Sequence, residues 1–243
     1  MNMSEQNIIS KYVPNFITLL SLSSGFTSIS FSLKGEWEIA IYLILLATIF
    51  DFFDGWFARK LKSGSNFGAE LDSLSDFVSF GVAPSFLIYL WSTNTLGSLG
   101  WGATLFFVIC SALRLARFTA DIYVTNKPID NKEYFTGVPS PAAAGLILLP
   151  LFIFFEFQID FLKNEYFNFI TTIVIGFMMI SKIPTISLKK IKINAKYKTW
   201  IFLIFVLACV SLISKIWITL IIFFGAYLLS VFYTIIKSRN IRN

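Results

Sequence analysis

The stretch DFFDGWFARKLKSGSNFGAELDSLSDF, residues 51–77, puts Asp51, Asp54, Asp72 and Asp76 into a chain that is otherwise 56% hydrophobic. On a helix Asp51, Asp54, Gly55 and Ala58 fall at i, i+3, i+4 and i+7, one continuous face. Gly68, Asp72 and Asp76 follow at i, i+4 and i+8 and form a second face. The connection KLKSGSNFG is short and rich in Gly, Ser and Asn, so the two helices are expected as antiparallel neighbours with their acids at similar depth. Four ionised carboxylates inside a membrane are strained, at about 2.5 to 3.5 kcal/mol each on insertion scales before mutual repulsion. Two divalent cations relieve that strain, and an all-oxygen donor set suits Mg²⁺, Mn²⁺ or Ca²⁺ rather than zinc or copper. Two such ions about 3.5 to 4 Å apart recur in phosphoryl chemistry. Gly55 and Ala58 leave a groove beside the acids, and Arg59 at the membrane edge is placed to meet a phosphate. Plainer roles stay open. The acids also suit pairing with Lys and Arg of nearby loops, the small residues suit close helix packing, and Arg59 suits an interfacial cation.

The elements that must position these acids are membrane helices. Only 14% of the 243 residues are charged, too little polar surface to cover a water-soluble domain of this length. Apolar runs predict eight helices, at 14–33, 37–60, 69–92, 98–121, 139–157, 164–183, 198–214 and 216–236. The first is read as a retained span, because no basic segment precedes it and no small-residue cleavage pattern follows. Of the 20 Lys and Arg residues, all but Lys34, Lys163 and Lys215 fall on the side of the N-terminus. The positive-inside bias then places both termini and the 59–68 connection in the cytoplasm. The net charge of +6 therefore reports topology and contact with anionic lipid, not nucleic acid, and KKIKINAKYK is expected on the membrane surface.

The chain has no histidine, which removes the Ser-His-Asp triad, phosphohistidine intermediates and His-ligated zinc, so carboxylates must carry any catalysis. Cys110 and Cys209 sit inside predicted spans and read as packing residues.

The pattern Asp51-x2-Asp54-Gly55-x2-Ala58-Arg59-x8-Gly68-x3-Asp72-x3-Asp76 resembles, at every fixed position, the motif of the CDP-alcohol phosphatidyltransferase family. That resemblance implies an all-α polytopic bundle with a six-span catalytic core opening towards the cytoplasm. Residues 1–190 would form this core and 191–243 a C-terminal pair of spans. It implies metal-dependent transfer of a phosphatidyl group from a CDP-linked lipid to an alcohol, releasing CMP. Asp51, Asp54, Asp72 and Asp76 would be metal ligands, with Asp76 also the general base. Gly55, Ala58 and Gly68 would line the CDP pocket, with Arg59 near it.

Four further segments, PNFITLLSLSSGFTSI, LRLARF, YFTGVPSPAAAG and SKIPTISLKK, resemble the phosphatidylserine synthases of this family and imply L-serine as the acceptor and CDP-diacylglycerol as the donor. The first carries Ser21 where a polar amide is expected. Asn15 and Thr18, at i and i+3, suit a hydrogen-bonded CDP ligand or the capping and gluing of the first helix. Arg114 and Arg117, also i and i+3, suit a lipid phosphate, the serine carboxylate, or plain topology. Lys182 and Lys189 suit headgroup contact. A homodimer in the cell membrane is implied by the resemblance. The same chemistry with glycerol 3-phosphate, an inositol phosphate or choline is the nearest alternative, and an ion-coupled transporter is one of a different class.

Overall fold

The computed structural model describes residues 3–61, 63, 65–125, 134–181, 184–186, 210–212 and 214–242. The expected span 198–214 lies outside these apart from its last few residues, and so do Lys182, Lys189 and Cys209. In chain order the helices are α1 (Met3–Leu33), α2 (Trp37–Leu61), α3 (Asn66–Trp91), α4 (Ser98–Thr125), α5 (Ser140–Phe157), α6 (Glu165–Ile180) and α7 (Ile216–Arg242). All but α6 are long and apolar enough to cross a membrane among the described residues. This is the expected polytopic helical architecture.

Three features depart from the expected elements. First, α1 continues through Pro14 instead of beginning there. A proline removes one ladder hydrogen bond, the one its own amide would donate, and the Thr18 hydroxyl donates back along the helix to the Pro14 carbonyl at 3.0 Å. Second, α3 contains a π-helical segment, Phe77–Val82, immediately after Asp76. Third, Tyr134–Thr136 (β1) pairs antiparallel with Pro184–Ile186 (β2), Phe135 opposite Thr185. This short ladder ties the connection before α5 to the one after α6.

Helix association in lipid depends on close packing and interhelical hydrogen bonds, since lipid is as apolar as the core. Both are visible here. Fully buried Ala40 and Ala47 let α2 approach α1, and Ser21 and Ser28 of α1 donate to the Ala47 and Ala40 carbonyls at 2.9 Å each. From α3, Ser75 and Ser79 donate to the α1 carbonyls of Thr18 and Ser21, both at 3.2 Å. Gly25 makes this crossing possible, because a Cβ there would lie 2.6 Å from the Ser79 Cα. The apolar core around Phe80, Leu87, Phe107, Leu148 and Phe152 holds α3, α4 and α5 together. At the opposite end, Asn168 of α6 donates to the Ser92 hydroxyl at 3.0 Å and to the Leu162 carbonyl at 2.8 Å, fixing both connections there.

Candidate active site

The acids gather where α2 ends and α3 begins. The Ser63 amide donates to the Ala58 carbonyl at 3.1 Å, closing the last turn of α2. Ser65 then caps α3, its Oγ accepting from the Gly68 amide at 3.0 Å, which satisfies one of the four orphan donors of a helix start. The acidic faces of α2 and α3 are thus opposed, Asp51 on one and Asp72 and Asp76 on the other.

Carboxylate oxygens of Asp51, Asp72 and Asp76 lie within 4.8 Å of one another, all three residues half-buried. Asp54 stands outside this triad. It is buried, its Oδ2 has no partner, and it faces an adjacent cleft. Asp76 Oδ1 is likewise buried and unpartnered. Three carboxylates at such separation repel strongly, and buried acceptors without donors are costly. The oxygen-only donor set, its spacing and its two orphaned oxygens together fit hard divalent cations.

The cleft encloses about 180 Å³ and is walled by Asn15 and Thr18 from α1, Asp54, Gly55 and Ala58 from α2, and Gly68 and Asp72 from α3. Pro14, Ser63, Ser65 and Ala69 complete it. Gly68 is tightly held, since a Cβ there would come 3.1 Å from Asn15 Oδ1 and 3.2 Å from Ser65 Oγ. Beside Gly55 an added Cβ would meet the Arg59 guanidinium at 3.4 Å, so Arg59 folds back along the cleft's rim. Ser21, in the position where an amide was expected, is occupied with the Ala47 carbonyl.

The two arginines of α4 diverge. Arg117 donates to the Ile180 carbonyl at 3.3 Å, at the exposed end of α6. Arg114 turns inward, its Nη1 donating to the Ser140 hydroxyl at 2.8 Å and its charge acting on Asp76. Ser65 carries a sequence signal, a serine just before the helical run that begins at Asn66. Ser140 carried no comparable signal.

A model of the CDP-alcohol phosphatidyltransferase family matches residues 11–180. The chain belongs to the CDP-alcohol phosphatidyltransferase family. The matched stretch holds every acid of the site and every wall of the cleft. Relatives agree with it. A Helicobacter pylori CDP-diacylglycerol–serine O-phosphatidyltransferase is 35% identical over 187 residues, 75% of each chain. The Methanocaldococcus jannaschii protein of the same name is 38% identical over 171 residues, 70% of this chain and 72% of that one. With its Mycobacterium leprae namesake the identity is 36% over 76% of this chain, and the alignment spans only 61% of the mycobacterial protein. In the candidate site, α1 to α3 build the cleft and the acids, and α4 supplies the inward arginine.

Proposed function

We propose that the protein transfers the phosphatidyl group of CDP-diacylglycerol to the hydroxyl of L-serine, giving phosphatidylserine and CMP at the cytoplasmic face of the cell membrane. The observation that carries this reading is the acidic triad of Asp51, Asp72 and Asp76 opening beside a cleft walled by Gly55, Ala58 and Gly68. Serine as the acceptor is supported by the names of the relatives, an archaetidylserine synthase of Methanothermobacter thermautotrophicus among them, 39% identical over 143 residues. The orientation rests on the bias of Lys and Arg towards the side of the N-terminus.

Asp51, Asp72 and Asp76 would hold one divalent cation, and Asp54, with its free Oδ2, would help to hold a second. When bound, such ions polarise phosphate oxygens and stabilise a phosphate leaving group. Asn15, Thr18 and the backbone beside Gly55, Ala58 and Gly68 would receive the cytidine and its pyrophosphate, with Arg59 at the rim. Asp76 Oδ1 accepts the proton of the serine hydroxyl. The serine oxygen bonds to the lipid-side phosphorus as the bond from that phosphorus to the CMP oxygen breaks, and CMP departs in line.

The test is CMP release by the purified protein with CDP-diacylglycerol, Mn²⁺ or Mg²⁺ and a panel of alcohols. Serine is expected to be turned over fastest, and EDTA to abolish turnover reversibly. Release with glycerol 3-phosphate, an inositol phosphate or choline but not with serine would change the acceptor. Metal uptake into proteoliposomes without any CMP release would make the protein a transporter. A monomer by mass in detergent would remove the expected homodimer.

A further inference from the structure

We infer that Tyr227 of α7, a helix outside the matched stretch 11–180, completes with Arg114 a pocket for the carboxylate of the acceptor. This inference rests on the proposed serine transfer. Trp217 stacks on Phe152 and Phe155, while the Phe224 ring fills the space beside Gly145, so α7 runs antiparallel to α5. Three residues beyond Phe224, Tyr227 comes level with the start of α5, where Ser140 sits. Ser140 holds one nitrogen of Arg114 at 2.8 Å, and the charge of Arg114 reaches both Tyr227 and Asp76.

Two donors are left over at this junction. Arg114 Nε and the Tyr227 hydroxyl are both buried, and neither has a partner. Buried donors without acceptors are rare and costly, so two of them at one junction ask for an acceptor beyond what the described residues supply. A guanidinium N–H and a phenol O–H together suit the two oxygens of a carboxylate. Charge selects the acceptor further. Arg114 is the cation acting on Asp76 among the described residues, and Arg117 is turned to the Ile180 carbonyl. A carboxylate brings one negative charge beside Asp76, which Arg114 balances. A phosphate-bearing alcohol brings nearly two, and no second cationic side chain among the described residues acts on Asp76 to meet them. Asp76 is within range of the charge of Arg114 and is not among the residues walling the nucleotide cleft, so a serine held here would present its hydroxyl towards Asp76.

The full-length protein is assayed with serine and with serinamide, which keeps the hydroxyl and amine but lacks the carboxylate charge. Wild type is expected to prefer serine strongly. Tyr227→Phe is expected to raise the KM for serine about tenfold, to lower the serine-over-serinamide preference by a similar factor, and to leave the KM for CDP-diacylglycerol within about twofold. Equal use of the two acceptors by wild type would overturn the pocket without needing any variant. So would an unchanged serine preference in Tyr227→Phe, which a merely structural tyrosine would give. A shift in the KM for CDP-diacylglycerol instead would assign these donors to the lipid-side phosphate. Wild type that releases no CMP with serine overturns both this inference and the proposed acceptor, whereas an active wild type with an unaffected variant overturns this inference alone.

Discussion

At the scale of single residues, Asp76 and Gly68 make opposite demands on substitution. Asp76→Asn keeps the shape of the side chain but loses the proton acceptor at Oδ1, which is buried and unpartnered. With saturating metal, kcat for CMP release is expected to fall about a thousandfold, within the usual range for a general base, while CDP-lipid binding measured directly changes little. Gly68→Ala adds one methyl group against Asn15 Oδ1 and Ser65 Oγ, at 3.1 and 3.2 Å. Both are wall residues of the cleft, so the KM for CDP-diacylglycerol is expected to rise about tenfold through their displacement, with melting temperature nearly unchanged. The acids and small residues of the cleft were legible in the sequence because helical period puts them on two faces. Ser140 and Tyr227 were not, because only tertiary packing between helices far apart in the chain brings each towards Arg114.

At the scale of elements, the π-helical segment sets the aim of the acids. A single extra residue in Phe77–Val82 rotates everything before it, Asp72 and Asp76 included, relative to the apolar anchor Ala83–Trp91. π-bulges of this kind are often found at functional sites. Deleting one residue of the segment should restore a regular helix and turn the acids by about 100° away from Asp51. The expected result is a protein that still inserts and extracts from membranes normally but releases no CMP. Retained turnover would show that the acids tolerate reorientation. The helices themselves were legible from apolar run length, and seven of eight have described counterparts, with the 198–214 span outside the described residues. Neither the π segment nor the ladder of Tyr134–Thr136 with Pro184–Ile186 was legible. A one-residue shift leaves little trace in FVSFGV, and a ladder between two connections arises from where the helices deliver them.

At the scale of the whole molecule, one residue reports on topology and site together. Exposed Ser65 sits in the α2 to α3 connection and in the wall of the cleft. Ser65→Cys is expected to react with a membrane-impermeant maleimide in inverted vesicles and not in right-side-out ones, and CDP-diacylglycerol with metal should slow that reaction severalfold. Labelling from the outer face would reverse the orientation drawn from the Lys and Arg bias. The bundle's polar stitching also governs which changes it can absorb. Ser21, Ser28, Ser75 and Ser79 each donate across a helix boundary to a main-chain carbonyl, not to another side chain. Every residue type offers that carbonyl, so hydrogen bonding puts no demand on the side chains of Ala47, Ala40 and Thr18, which only their buried space restricts, while the hydroxyl donors, Ser21 among them, cannot be replaced without loosening the seam. Mutational tolerance along α1 and its partners should therefore be lopsided, limited by size alone on the receiving side and by size and chemistry together on the giving side.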